Sequence, residues 1–133
     1  MARSPVQSRA TASLIMNHVS CIMNQVFVTI ETFVPETHAE KVRRAMGEAG
    51  AGKIENYSHC SFSVKGTGRF RPEKGAKPAI GKVGELEEVK EERLTMPCER
   101  RLIKKVISAI KEVHPYEEPP VYVYPVKDVS SLS

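Results

Sequence analysis

Residues 85–96, ELEEVKEERLTM, decide the fold of this chain, because two periodicities compete in them. Leu86, Val89 and Leu94 stand at near-helical spacing, and on pattern alone the stretch leans towards a helix. Lys90, Glu92, Leu94 and Met96 also alternate as one face of an edge strand. If the stretch is a strand, the order along the chain becomes β-α-β-β-α-β. That is the ferredoxin-like split βαβ, a four-stranded antiparallel sheet with two helices on one face.

The segments on either side are less equivocal. CERRLIKKVISAIKEVH (98–114) carries a broad apolar stripe of Leu102, Ile103, Val106, Ile107, Ile110 and Val113, with Lys104, Lys105 and Lys111 opposite, which predicts a helix. Pro115 stands at the stop position. His114 then ends the helix, where the dipole favours an imidazolium. VYVYPV (121–126) reads as a short strand whose Pro125 confines it to a sheet edge. Upstream, VFVTIETFV (26–34) is β-branched and aromatic with both faces largely apolar, the pattern of a central strand. PETHAEKVRRAMGEAGAG (35–52) switches to helical period through Ala39, Val42, Met46 and Ala49. Thr37 and Glu40 fit a capping box, and Gly50 and Gly52 fit a left-handed helix end.

YSHCSFSV (57–64) alternates as a half-buried strand, with Cys60, Phe62 and Val64 on one face and Tyr57, His59, Ser61 and Ser63 on the other. KGTGRFRPEKGAKPAIGKVG (65–84) holds five of the eight glycines and two prolines, and reads as a loop too long to be mere connection. Its GTGRFR run is neither a G-x-G-x-x-G nor a phosphate-binding G-K-[ST] motif. Its glycines serve turns that only glycine tolerates, or close approach to a ligand or a neighbouring subunit.

Composition narrows the function classes. The 133 residues suit one domain with a modest core, and 41% apolar and 27% charged residues are ordinary for a soluble protein. No apolar run reaches the ~18 residues of a membrane span. The net charge of +4 has an uneven source, because the first thirty residues hold Arg3 and Arg9 and no acid. Elsewhere the signs are mixed, which argues against a nucleic-acid groove. Cys21, Cys60 and Cys98 form neither a disulfide framework nor a zinc spacing, so a cytoplasmic setting is expected. Residues 1–24 are expected to be a flexible extension; their acid-free, Ser/Arg-containing make-up leaves an organelle transit segment or a later start at Met16 or Met23 as alternatives. Residues 128–133 read as a polar C-terminal tail.

The chemistry-bearing residues are few. His59 and Cys60 are neighbours and would face opposite ways on a strand, so they would share a metal only across a bulge. HPYEEPPVYVYP (114–125) packs one histidine, two glutamates, three tyrosines and four prolines into twelve residues. It reads first as a helix stop and a stiff lead into the last strand. Glu117 and Glu118 would act as acid and base only in a pocket that separates their pKa values, which adjacency does not supply. No nucleophile, base and orienter can be named together.

AGAG, HCSF, GTGRFRP, GAKPAIG, GELEEV and HPYEEP occur in one order along residues 26–126. In this the sequence resembles the CutA-like, PII-like domain inserted in YqfO-type proteins of the Nif-three family and that domain's stand-alone relatives. The resemblance implies a CutA-like ferredoxin-like domain over residues 25–127, makes 85–96 a strand, and implies a homo-oligomer, a trimer being favoured. It implies that Glu-rich and Lys-rich strand faces cross-pair between subunits. The two-metal site of Nif-three members lies on lobes flanking the insert, so its ligands are not carried over. The matched positions Tyr57, His59, Cys60, Ser61, Phe62, Gly66, Gly68, Phe70, Pro72, Pro78, Gly81, His114, Tyr116, Glu117 and Glu118 become candidates for a ligand or interface surface. The function expected is a non-catalytic binding or regulatory module for a small ligand, with no cofactor and with a protein partner as a further outcome. The alternative is CutA-like metal handling, with His59, Cys60, His114 and Glu118 as candidate ligands.

Overall fold

The computed structural model describes residues 27–127. In it the disputed stretch is a strand. Thirteen residues, Glu87–Glu99, form β3, which pairs antiparallel with β1 (Phe27–Pro35) on one side and β2 (Phe62–Phe70) on the other. β4 (Val121–Pro125) pairs antiparallel with the free side of β1, giving the order β2-β3-β1-β4. α1 (Glu36–Glu48) and α2 (Ile103–Val113) complete the β-α-β-β-α-β order of a ferredoxin-like sandwich. β1 is central and β4 lies at the sheet edge, as their sequences predict.

Register explains the core. Val28, Ile30, Thr32 and Val34 of β1 stand opposite Cys98, Met96, Leu94 and Glu92 of β3. The apolar members of this set are buried with Ala39, Val42 and Met46 of α1 and Val106 and Ile110 of α2. All come from one parity of the strands, so both helices cover the same sheet face. At the polar end of this face, Arg43 of α1 donates to Glu92 at 2.9 Å.

Five expectations are corrected. β3 is an internal strand rather than an edge strand, because β2 returns to pair along its outer side. The last helix does not start at residue 98; Cys98 and Glu99 still belong to β3, and a single 3₁₀ turn over Arg100–Leu102 leads into α2. β2 begins at Phe62 and runs through GTGRF, so the glycines at 66 and 68 lie in a strand and the loop proper is 71–86. Nor is β2 half-buried: Phe62 and Val64 are both exposed. The capping box is absent. Pro35 stands at the helix N-cap with no side-chain cap, and Thr37 Oγ1 bonds His38 Nδ1 at 2.9 Å. β1 runs into α1 without a linker, so Thr37 is already inside the first turn and cannot cap it.

The end of α1 follows the sequence. The Gly50 N–H donates to the Gly47 carbonyl and the Ala51 N–H to the Met46 carbonyl, a Schellman arrangement with Gly50 at φ +112°. Gly52, at φ +80°, donates to Pro97 O at 2.6 Å and accepts from Cys60 N at 2.8 Å, lacing the 52–60 segment to β3. Residues 1–26 and 128–133, including the expected extension and tail, lie outside the described residues.

A Cβ at position 52 would meet Cys60 N at 2.5 Å and Cys60 O at 2.7 Å. Gly52→Ala is therefore expected to cost roughly 1–3 kcal/mol in urea unfolding. A variant as stable as the parent would show that this lacing contributes little.

Candidate functional site

The face of the sheet turned away from the helices carries the opposite parity: Phe33 of β1, Glu91 of β3, and Gly68 and Phe70 of β2. At the end of β2 the chain leaves the sheet, and the 71–86 loop folds back as one wall. The α2–β4 connection, residues 114–120, forms the other. Between them lies a cleft of about 440 Å³ walled by Phe33, Phe70, Pro72, Ala76, Pro78, Ala79, Ile80, Tyr116 and Pro120. Arg69, Arg71, Glu91, Glu117 and Glu118 supply its charged groups.

The cleft is held by a short relay of polar contacts. His114 is buried, with 7% of its surface exposed. Its Nε2 lies 2.8 Å from the Phe33 carbonyl, and the Tyr116 N–H donates to Nδ1 at 3.1 Å. One nitrogen must donate to a carbonyl and the other must accept from an amide, which fixes the neutral Nε2–H tautomer. Burial lowers the imidazole pKa; His38 lowers it too, while the Phe33 carbonyl and Glu91 only partly oppose this. The expectation of an imidazolium favoured by the helix end is thus corrected, because burial disfavours the charged ring and its two hydrogen bonds suit the neutral one. The tyrosine that follows leans its ring on His114, with centroids 4.9 Å apart, and meets Phe70 edge-on at 5.7 Å. Its hydroxyl donates to Glu91 Oε2 at 2.6 Å. Burial, then the Glu91 hydrogen bond, raise the Tyr116 phenol far above its ordinary value, so it remains a donor. On the loop side, the Lys77 N–H donates to both oxygens of Glu117, at 3.0 and 3.3 Å. Arg69 pairs with Glu88 at 3.0 Å and Arg71 with Glu73 at 2.9 Å, both on the exposed rim.

The structure brings Gly68, Phe70, Pro72, Pro78, Tyr116, Glu117 and Glu118 together around this cleft, with His114 directly beneath. The other candidates are elsewhere. Gly81 abuts Glu87 behind the loop. Gly66 lies on β2 outside the lining, and Phe62 marks the opposite end of that strand. Ser61 is exposed just before β2. Tyr57 projects, 72% exposed, from a tight turn bridged to Ile54. His59, at φ +59°, lays its ring against Gly47 of α1, close enough to overlap any Cβ there. The four candidate metal ligands are not gathered: both nitrogens of His114 are engaged, and no group of three His, Cys, Asp or Glu among the described residues is placed to hold an ion. Cys60 and Cys98 are free thiols.

Sequence reasoning missed Glu91, Phe33, Arg69, Arg71 and Ile80. For Glu91 a signal exists in the parity of β3: with Leu94 and Met96 towards the helices, residue 91 must face the other way. Its burial depends on the loop and on the 114–120 turn, which no local pattern reports.

His114 makes a pH prediction. Its folded pKa lies below the unfolded value of about 6.5. Between those values the unfolded chain binds more protons, so the contribution of neutral His114 is complete above about pH 6.5 and is lost as pH falls towards the folded pKa. His114→Gln, which keeps a donor but does not titrate, is expected to flatten the fall in unfolding free energy between about pH 7 and pH 5. Equal slopes for variant and parent would show that His114 does not control this window.

Comparison with known proteins places these features. Residues 82–132 match the family model of the CutA1 divalent ion tolerance protein. The chain is 50% identical over 94 residues to a protein of Halalkalibacterium halodurans named GTP cyclohydrolase 1 type 2 homolog, a match covering 71% of this chain and 25% of that one. It is 50% identical over 98 residues to the protein of the same name from Bacillus subtilis, covering 74% and 26%. The chain thus spans about a quarter of the length of these curated relatives. Among solved structures, a Bacillus cereus protein related to NIF3 superimposes with a TM-score of 0.68 at 47% identity, covering 77% of this chain and 26% of that one. CutA1 from Pyrococcus horikoshii does so with a TM-score of 0.58 at 23% identity, covering 77% and 85%, a likeness of fold. The chain is a relative of the CutA1-like segment of NIF3-related proteins.

Proposed function

We propose that this chain is a non-catalytic binding module that takes a small ligand in the cleft beneath the 71–86 loop. The observation that carries this reading is the cleft itself: about 440 Å³ of mostly apolar, aromatic-walled space with a few convergent polar groups, the usual make-up of a small-molecule site. No serine, cysteine, lysine or histidine is among the described residues lining it. Its one phenol is tied to Glu91 and held protonated. Glu91, Glu117 and Glu118 are the carboxylates of the cleft, and with no second reactive group placed to work beside them we read them as binding groups. The divalent-ion reading suggested by the family description has no cluster of three ligands among the described residues to support it.

We further propose that the module works as a homotrimer, the assembly its family resemblance implies. The sheet face away from the helices leaves Phe62 68% and Tyr122 51% exposed, with Tyr124 and Val64 beside them. Exposed aromatic residues at both edges of this sheet face, Phe62 on β2 and Tyr122 and Tyr124 on β4, support an interaction site there. The strand charges pair within the chain, Arg93 with Glu31 at 2.8 Å and Arg69 with Glu88 at 3.0 Å, so support for assembly comes from the aromatic residues rather than from cross-pairing charges.

Thermal unfolding in the presence of nucleotides, inorganic anions, amino acids and amines tests the first proposal. A ligand at a hundred times its Kd adds about 2.7 kcal/mol, a Tm rise on the order of 10 °C for a domain of this size. Phe70→Ala is expected to remove most of the rise. No response across the panel would overturn the binding reading. Native mass spectrometry tests the second: a trimer is expected for the parent and a folded monomer for Phe62→Asp/Tyr122→Asp. A monomeric parent would overturn it.

A further inference from the structure

Two glutamates are buried on the sheet face that carries the cleft, and they differ in one respect. Glu31 is held by Arg93 at 2.8 Å and by the Tyr124 hydroxyl at 3.0 Å. Glu91 is 7% exposed, yet no lysine, arginine or histidine among the described residues pairs with it. Tyr116 donates to its Oε2. Oε1 accepts no hydrogen bond from the described residues, and it is not among atoms sealed from solvent, so it opens towards the cleft. A buried carboxylate without a cation is costly, and the cost falls when a cation or a strong donor arrives.

The surroundings suit such a partner. Phe33, Phe70 and Tyr116 wall the cleft around this carboxylate, and aromatic faces attract cations through their quadrupoles. The guanidiniums of Arg69 and Arg71 are exposed and already paired with Glu88 and Glu73. Charges on the exposed rim are screened, whereas the buried charge acts through a lower dielectric. Gly68 belongs to the same arrangement: a Cβ there would fall 1.6 Å from Glu91 Oε1, so the carboxylate occupies the space a side chain would fill. The φ of Gly68 is not positive, so alanine is accommodated by the backbone and would displace only the carboxylate.

We propose that the cleft binds an organic cation, an ammonium or amidinium-type head on Glu91 with its apolar body against Phe33, Phe70 and Tyr116. This rests on the reading of the cleft as a small-ligand site and names the chemical class of that ligand. Benzamidinium, benzamide and benzoate share one shape and differ in charge, so ligand-observed NMR titrations with the three separate the two ideas. Benzamidinium is expected to bind saturably and at least about tenfold more tightly than benzamide or benzoate. Glu91→Gln is expected to weaken it about tenfold or more. Gly68→Ala, whose fold is checked by circular dichroism, is expected to do the same by moving the carboxylate. If benzamide or benzoate binds as well as benzamidinium, or if both variants bind it like the parent, the cation inference is overturned while the cleft remains a ligand site. If none of the three binds but a nucleotide or anion raises Tm, the cation inference again falls and the binding module stands. Silence in both experiments overturns both.

Discussion

The antiparallel pairing of β1 with β3 is the constraint on which the rest of the structure depends. It runs unbroken from Phe27 opposite Glu99 to Pro35 opposite Glu91. Because side chains alternate along a strand, a slip of one residue would exchange the two faces. Leu94, Met96 and Cys98 would leave the helices, and Glu91 would enter the core. One register therefore settles both the packing on one side of the sheet and the chemistry on the other. The core side tolerates only this choice, since a slip would put Arg93 and Thr95 in place of Leu94 and Met96 beneath the helices.

The cleft is a consequence of the same frame reached through a second set of contacts. His114 lies between the Phe33 carbonyl and the Tyr116 amide, so the end of α2 is fastened to β1 and Tyr116 is aimed at β3. Glu117 then holds the 71–86 loop through the Lys77 amide. A turn that stops a helix thus also positions an aromatic wall, and a buried neutral histidine becomes a structural linker rather than a metal ligand. The stretch HPYEEP serves both roles with the same residues: Pro115 ends the helix, while His114, Tyr116 and Glu117 tie three segments together.

Charge distribution on the outer sheet face follows from which carboxylates find partners. Glu31 sits opposite Thr95 in register, beside Arg93, and is neutralised within the chain. Glu91 lies near the end of β1, where its strand neighbours offer Gly66 and Pro35. Glycine at 68 leaves room for the carboxylate and brings no cation to it. The difference between a satisfied and an available acid is thus a matter of position along β3.

Much of the fold was legible in the sequence. The alternation in VFVTIETFV, the helical stripes of 35–52 and 98–114, the glycine stop after α1 and the proline in the last strand each report a local preference that the tertiary structure keeps. The 85–96 stretch was not legible by pattern, because β3 is polar towards its start and apolar towards its end, so alternation never runs the full length. The capping box failed because Thr37 falls inside a helix that begins at Glu36. The strand at 57–64 was displaced because segment 52–60 is laced to β3 as a loop. Of the site, Phe70, Pro72, Pro78, Tyr116, Glu117 and Glu118 were reachable from the sequence and its resemblance. Glu91 was reachable only as a residue on the outward parity of β3, since its burial depends on the loop and the 114–120 turn. The sequence by itself determined the two helices, the first and last strands and the apolar faces of these elements, because they depend on neighbours two to four positions away. Only the tertiary structure decided which glutamates are buried, which of them lacks a cation, and that His114 is neutral, because those depend on what distant segments bring against them.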